Sequence, residues 1–369
     1  MPTTTRQYPF YLKTTVIIFG LILFCGAMYV LKSIMAPIAF ALVVAMLLNP
    51  LVNKFQQKGM GKVMAVTITL AIAFIISAGI IYFIAVQLIG FSDNLPAFKT
   101  AFNQQLAQVQ HWVQAHFNIP VEKQQNSLSE AMNNSKTLLG SALGGLLNTV
   151  AFFVLIPIYV FLLLYYKTLF LDFLHGCFAE EDTLKITEVL NETKKAIQSY
   201  MVGLLLEALV VAALNSTALL LIGVEYAILL GVIGALLNML PYIGGIVAIA
   251  LPVIMSTVTG GHGFTTPLLI IGAYAVIQFV DNNFLVPFLV SSRVKINAFF
   301  SIVIVLLGGA LWGVAGMFLS IPFLAIVKII FDRMPEMKHW GKLLGDEIPT
   351  RHKGEIRLKR LMRRGSVNK

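Results

Sequence analysis

A chain of 369 residues that is 58% hydrophobic and 12% charged, with a mean hydropathy of +0.83, is not an ordinary soluble domain, which carries about 25% charged residues. Its net charge of +10 would point to nucleic acid in a soluble protein. Here, however, 12 Lys and Arg face 5 Asp and Glu from Lys328 onward, so most of the excess lies beyond the last apolar run. The composition therefore predicts an all-α polytopic membrane protein and no nucleic-acid partner.

Apolar runs occur at 14–31, 34–52, 63–91, 150–171, 200–222, 226–257, 265–290 and 297–331. The first follows Arg6 and Lys13 as a signal peptide would. No small-residue cleavage site intervenes before the second run, so it reads as a retained span. The link 53–62 carries Lys54, Lys58 and Lys62 with no acid and should face the cytoplasm. Residues 1–91 would form scaffold spans. In 92–149, Leu95, Phe98, Phe102, Leu106, Val109, Trp112, Val113 and Phe117 recur at steps of three and four with glutamines between them. That pattern predicts an amphipathic, extracytoplasmic helix over 95–117. It would cap its own bundle, lie in the membrane interface or form an oligomer contact. A polar connector (118–137) and Gly140, Gly144 and Gly145 follow, the glycines allowing close helix approach.

Residues 150–199 read as a fourth span and a charged cytoplasmic loop (167–199). Residues 200–331 read as a transport region, and 332–369 as a basic cytoplasmic tail that anchors under the positive-inside rule or binds lipid or a partner. Cys25 and Cys177 fall in different settings and predict no disulfide.

The stretches 226–257 and 297–327 are each longer than the ~20 residues of a single span. Each is interrupted, at LLNMLPYIGG and LLGGALWGVAG. A broken helix in a bilayer must cover its freed backbone groups with protein or water, so such breaks line cavities. Two topologies remain open. If each stretch crosses once, Arg293 and Lys295 fall outside. If each is a re-entrant hairpin, they fall inside, as the positive-inside rule prefers. Hairpins leave about six full spans. A gapless shift of 70 residues places Val224 on Val294, Leu236 on Leu306, Leu237 on Leu307, Tyr242 on Trp312 and Pro252 on Pro322. The units would be roughly 198–257 and 268–327, with inverted topology.

Ionisable residues at membrane depth are functional candidates. Asp281 stands in QFVDNNFLVP, with Gln278 and Asn282 on its helical face. Such a group can hold a proton or cation, hydrogen-bond a polar solute, or clamp two helices together. Glu207 is a second candidate, for a proton or ion, unless it snorkels to the interface. The break residues Pro241, Tyr242, Gly244 and Gly245, with Asn238 one turn before them, are candidates for lining a solute or ion site. So are Gly309, Trp312 and Gly313, beside Gly308 and Gly316. Gly316 and Ser320 also suit plain helix packing. His262 reads as a solvated loop residue, the alternative being a gating or pH-sensing role. No nucleotide loop, metal-ligand pair, nucleophile elbow or aspartyl pair is present, so neither an enzyme nor a cofactor is expected.

The stretches PYIGGIVAIALP (241–252), DNNFLVP (281–287) and GGALWGVAGMFLSIP (308–322), in that order, resemble the signature of the autoinducer-2 exporter family, the PerM-like permeases. Pro241, Tyr242, Gly244, Asp281, Asn282, Pro287, Gly313, Gly316 and Pro322 match its motif residues. The chain carries Gly245 where that family commonly has a proline after PYIG. The resemblance implies a multi-pass transporter of a bacterial inner membrane that exports a small polar signalling molecule. It further implies a link to sodium or proton antiport, a homo-oligomer and an elevator-like movement. From the residues alone, three functions stand side by side: a secondary transporter, a channel and a non-transporting membrane scaffold.

Overall fold

A computed structural model describes residues 9–93, 95–118, 120–124, 154–178, 183–240, 244–259, 265–290 and 296–346. Pro241, Tyr242, His262, Arg293, Lys295, the glycines at 140–145, most of the polar connector and the tail from 347 onward lie outside them. The described residues are helical and contain no strand. The helices are α1 (Phe10–Val30), α2 (Lys32–Gln57), α3 (Lys62–Asp93), α4 (Leu95–Phe117), α5 (Val154–Tyr165), α6 (Lys167–Gly176), α7 (Thr183–Ile222), α8 (Ala227–Asn238), α9 (Gly244–Thr259) and α10 (Thr265–Val280). A π-helical segment (Asp281–Val290) then precedes α11 (Ala298–Arg333) and α12 (Lys338–Leu344).

Loop chemistry explains the joins. After α2, the Met60 amide donates to the Phe55 carbonyl and the Gly59 amide to the Gln56 carbonyl, with Gly59 at φ 88°. After α7 the same pattern recurs: Val224 donates to Leu219, Gly223 donates to Leu220, and Gly223 has φ 84°. Both ends are Schellman caps, which close a helix by placing glycine in the left-handed region. Pro50 inside α2 has no N–H to give the Met46 carbonyl one turn back. The Gln198 side chain of α7 donates to that carbonyl instead, at 2.6 Å.

Both interrupted stretches fold back on themselves. The arms α8 and α9 are antiparallel, and a Cβ on Gly234 would stand 3.5 Å from the Ala248 methyl. A Cβ on Gly244 would overlap the Leu237 carbonyl, so only glycine fits this turn. In α11 the backbone reverses at Gly313, with φ 64° and ψ −141°. The Ser320 hydroxyl lies 3.0 Å from the Ile304 carbonyl. Sixteen residues apart on a straight helix, these groups would be about 24 Å apart. A Cβ on Gly308 or Gly316 would overlap the other's carbonyl. The 36-residue α11 is therefore a hairpin with arms 298–312 and 314–333, not one long span. The 12 residues of α8 reach about 18 Å, well short of a hydrocarbon core of about 30 Å.

Helices α1, α2, α3, α5, α7 and α10 with its π extension are each long enough, alone or with the bent continuation α6, to cross a bilayer. This matches the expected six spans and two hairpins. The antiparallel order of the two repeat units also emerges. Leu219 and Ile270 share one apolar cluster. Val211 and Asp281 line one cavity, and a Cβ on Gly203 would overlap the Leu289 carbonyl. Helix α7 and the α10–π rod thus run in opposite directions, and each is followed by a hairpin.

One expectation needs correction. The stretch 167–199, expected as a loop, is mostly α6 and the first turns of α7. Its acids lie at helical spacing, and Arg333 pairs with both Glu188 and Glu192, one turn apart. Charge alone does not break a helix whose charged face meets water. Helix α4 forms over the expected residues and packs on α9. Among its described side chains, Trp112 and Phe117 are exposed and Gln110 is buried. Cys25 and Cys177 are both free.

Three apolar clusters divide the bundle. Ala41, Ala45, Val52, Ala65, Val66, Val160 and Leu164 join α2, α3 and α5. Leu219, Val224, Ala227, Ala248, Ile270 and Tyr274 join α7, the first hairpin and α10. Between them, Ala39 and Val43 of α2 meet Ile197, Tyr200, Met201 and Leu204 of α7 and Leu319 of the second hairpin. Most large apolar side chains of α1 and α3 are exposed, as expected of surfaces that face lipid.

Candidate functional site

The tip of the first hairpin reaches the junction where α10 gives way to the π segment. Asn238, the last residue of α8, donates from Nδ2 to Asp281 Oδ2 at 2.9 Å. Gln278, one turn before Asp281, lies with Nε2 at 3.3 Å from the same oxygen and at 3.3 Å from Asn282 Oδ1. Asp281 is 2% exposed. Its other oxygen, Oδ1, is buried and without a hydrogen-bond partner in the protein.

That carboxylate lines a cavity of about 10 Å³ with Val211, Asn215, Gly234, Asn238, Gly245, Ala248, Tyr274, Ile277 and Gln278. This is room for roughly one water-sized guest. Asn215 Oδ1 and the Tyr274 hydroxyl, from α7 and α10, are likewise buried and unpartnered. Three buried oxygens without partners are costly unless a guest meets them. A set of carboxylate, amide and hydroxyl oxygens suits a proton, a water or a hard cation rather than an anion. A Cβ on Gly245 would crowd Gln278 Oε1 at 3.0 Å, whereas one on Gly234 would make ordinary contact with Asn215 Nδ2 at 3.4 Å. The π segment that begins at Asp281 is itself a rare winding that concentrates at functional sites.

The expected residues divide into three groups. Asp281, Gln278, Asn238 and Gly245 come together at the cavity, and Gly244 makes the adjacent turn. Asn282 is exposed and touches the group only through Gln278. Glu207 is 5% exposed on α7, one turn before Val211 of the cavity wall. It is thus buried within the bundle rather than snorkelling. Gly309, Trp312 and Gly313 do not reach the cavity. Trp312 Nε1 donates to the Met28 carbonyl at 3.0 Å, satisfying an orphan acceptor in the last turn of α1. Its ring packs edge-on to Phe323. Gly309 faces Met317 across the hairpin. Asn215 and Tyr274 escaped the sequence reading. Each is a lone polar residue in an apolar run, and only a helical-wheel comparison with Asp281 across two helices would have flagged them.

Inverted units of one crossing helix and one hairpin, with a buried carboxylate facing an internal cavity, define a protein built as membrane transporters are. The AI-2E family transporter profile covers residues 18–336, and the chain belongs to that family. Among its relatives, the AI-2 transport protein TqsA of Escherichia coli K12 is 26% identical over 88% of this chain and 93% of its own length. A candidate transport protein of Bacillus subtilis, YrrI, is 22% identical over 84% of this chain and 89% of its own. A candidate permease of E. coli K12, PerM, is 26% identical over 84% and 90%.

Proposed function

We propose that this chain is a secondary transporter, not an enzyme, that exports a small polar solute by alternating access, with a proton or sodium ion bound at Asp281 as the coupling ion. The observation that carries the reading is the fully buried Asp281 carboxylate, whose free Oδ1 shares a water-sized cavity with the free oxygens of Asn215 and Tyr274. A cavity of that size takes an ion or a water, so the organic solute would pass in a more open state. The name of TqsA supports a small signalling molecule as the class of solute.

In this reading the first hairpin gates the cavity, because Asn238 and Gly245 belong both to its tip and to the cavity wall. Protonation or cation binding at Asp281 changes the charge that Asn238 and Gln278 must satisfy. The tip then has a different affinity for the rod in each state, as a ligand-driven change requires. Helices α7 to α10 and the second hairpin would move against α1, α2, α3 and α5. The boundary is the cluster of Ala39, Val43, Tyr200 and Leu319. Glu207 would relay protons or hold a second charge. In this reading six crossings would leave both termini on one side, and the lysines of the α2–α3 link favour the cytoplasm of a bacterial inner membrane for that side. The chain would work as a homo-oligomer, with α4 as a contact.

The test uses purified protein in sealed liposomes under an imposed proton or sodium gradient, with internal pH followed for wild type and Asp281→Asn. Gradient-dependent ion movement that the variant abolishes supports the reading. Ion movement equal in both proteins would sink it, and large uncoupled flux would indicate a channel.

A further inference from the structure

At one end of the bundle, away from the cavity, three lysines from three different helices converge. Lys62 begins α3, Lys167 begins α6 and Lys194 lies on α7. All three are half-buried, and the Gln198–Met46 contact, one turn from Lys194 on α7 and about one turn from Asn49 on α2, brings Lys194 to this end. The Lys167 ammonium donates to the buried Asn49 Oδ1 at 3.0 Å. Lys62 donates to Thr168 Oγ1 at 3.2 Å and sits 5.5 Å from the centre of the Tyr165 ring. Among the described residues no carboxylate pairs with any of the three. The nearby acids of α7, Glu188 and Glu192, are held by Arg333. The positive-inside rule accounts for lysines at this end but not for their convergence. Clustered cations with no acidic partner create a positive potential that favours an anion.

The setting indicates which anion. Between Tyr165 and Lys167 the chain bends by 61°. The α2–α3 link that carries Lys62 joins two crossing helices and so lies at a membrane face, and the bend turns α6 off the α5 axis there. Helix α6 exposes Leu169, Phe170 and Phe173 immediately after the lysine, apolar surface suited to acyl chains. A phosphate at headgroup depth with hydrocarbon beside it belongs to a phospholipid. Basic pockets between transmembrane helices bind lipid headgroups in this manner.

We propose that Lys62, Lys167 and Lys194, at the α5–α6 elbow, form a binding site for the phosphate headgroup of an anionic phospholipid, which completes the junction of α2, α3, α6 and α7. The site is independent of the transport reading.

The test is native mass spectrometry of the full chain titrated with phosphatidylglycerol or phosphatidylcholine. Wild type should prefer phosphatidylglycerol. Lys62→Gln and Lys167→Gln should each lose about fivefold in phosphatidylglycerol affinity, the contribution of one lysine at a membrane surface, with phosphatidylcholine affinity unchanged. Lys58→Gln, an exposed lysine nearby on the same link, should lose less than about twofold. Inorganic phosphate should not displace the lipid. Equal affinity for the two lipids, an equal loss in Lys58→Gln, or displacement by inorganic phosphate would each overturn the proposal. If Lys167→Gln fails to fold, Lys194→Gln carries the same expectation.

Discussion

The first hairpin ends in Asn238 and brings it to Asp281; the second ends in Gly313 and brings Trp312 to the Met28 carbonyl. Both follow a crossing helix and both turn where only glycine fits. Around the first tip, polar oxygens are left without partners and a cavity remains. Around the second, the seam is closed: Gly308 and Gly316 let the arms touch, and the Ser320 hydroxyl lies 2.6 Å from the Gly316 carbonyl. The two hairpins share a shape and differ in chemistry. A tip with unmet polar atoms is suited to a guest, and a tip whose indole N–H already has a partner is not.

That contrast gives graded expectations. The largest is for Asp281→Asn, which should reduce gradient-driven ion movement in liposomes to the level of empty vesicles while the protein inserts normally. Next, Gly316→Ala should destabilise the second hairpin by about 1–3 kcal/mol, because its Cβ meets the Gly308 backbone rather than a yielding side chain. Thermal unfolding in detergent should show this against Gly272→Ala, whose Cβ meets nothing and which should stay within about 0.5 kcal/mol. Tyr274→Phe should fold as well as wild type, since the hydroxyl has no partner to lose. It should weaken ion binding roughly tenfold if that hydroxyl ligates a cation, read as the ion concentration for half-maximal flux. The smallest effect belongs to Trp312→Phe, which gives up one hydrogen bond worth about 0.5–1.5 kcal/mol and should transport at close to the wild-type rate. If Trp312→Phe stopped transport and Asp281→Asn did not, the roles assigned to the two tips would be reversed.

Much of this arrangement can be read along the chain. Bilayer thickness sets the length of an apolar run, so the spans stand out. Prolines and glycines interrupt α-helical hydrogen bonding locally, so both hairpin breaks are visible at LLNMLPYIGG and LLGGALWGVAG. Asp281 is conspicuous because a carboxylate at membrane depth is expensive wherever it is placed. Its grouping with Gln278 follows from helical spacing alone. The charged stretch 167–199 misled because polarity marks contact with water and does not distinguish a loop from a solvated helix.

The rest required the helices to be placed against one another. Spacing cannot bring Asn215 and Tyr274 to Asp281, since they lie on different helices, and their convergence depends on the antiparallel packing of α7 against the α10–π rod. It cannot show that Glu207 is buried, because burial comes from the neighbouring helices and not from the run that contains it. Nor does it separate the roles of the two tips, each of which carries glycines and one aromatic residue at its break. Local backbone chemistry and the hydrophobic length of the bilayer thus act along the chain and set the spans and the breaks. Partner choice for buried polar atoms acts across the bundle, and it made one tip a cavity wall and the other a clasp.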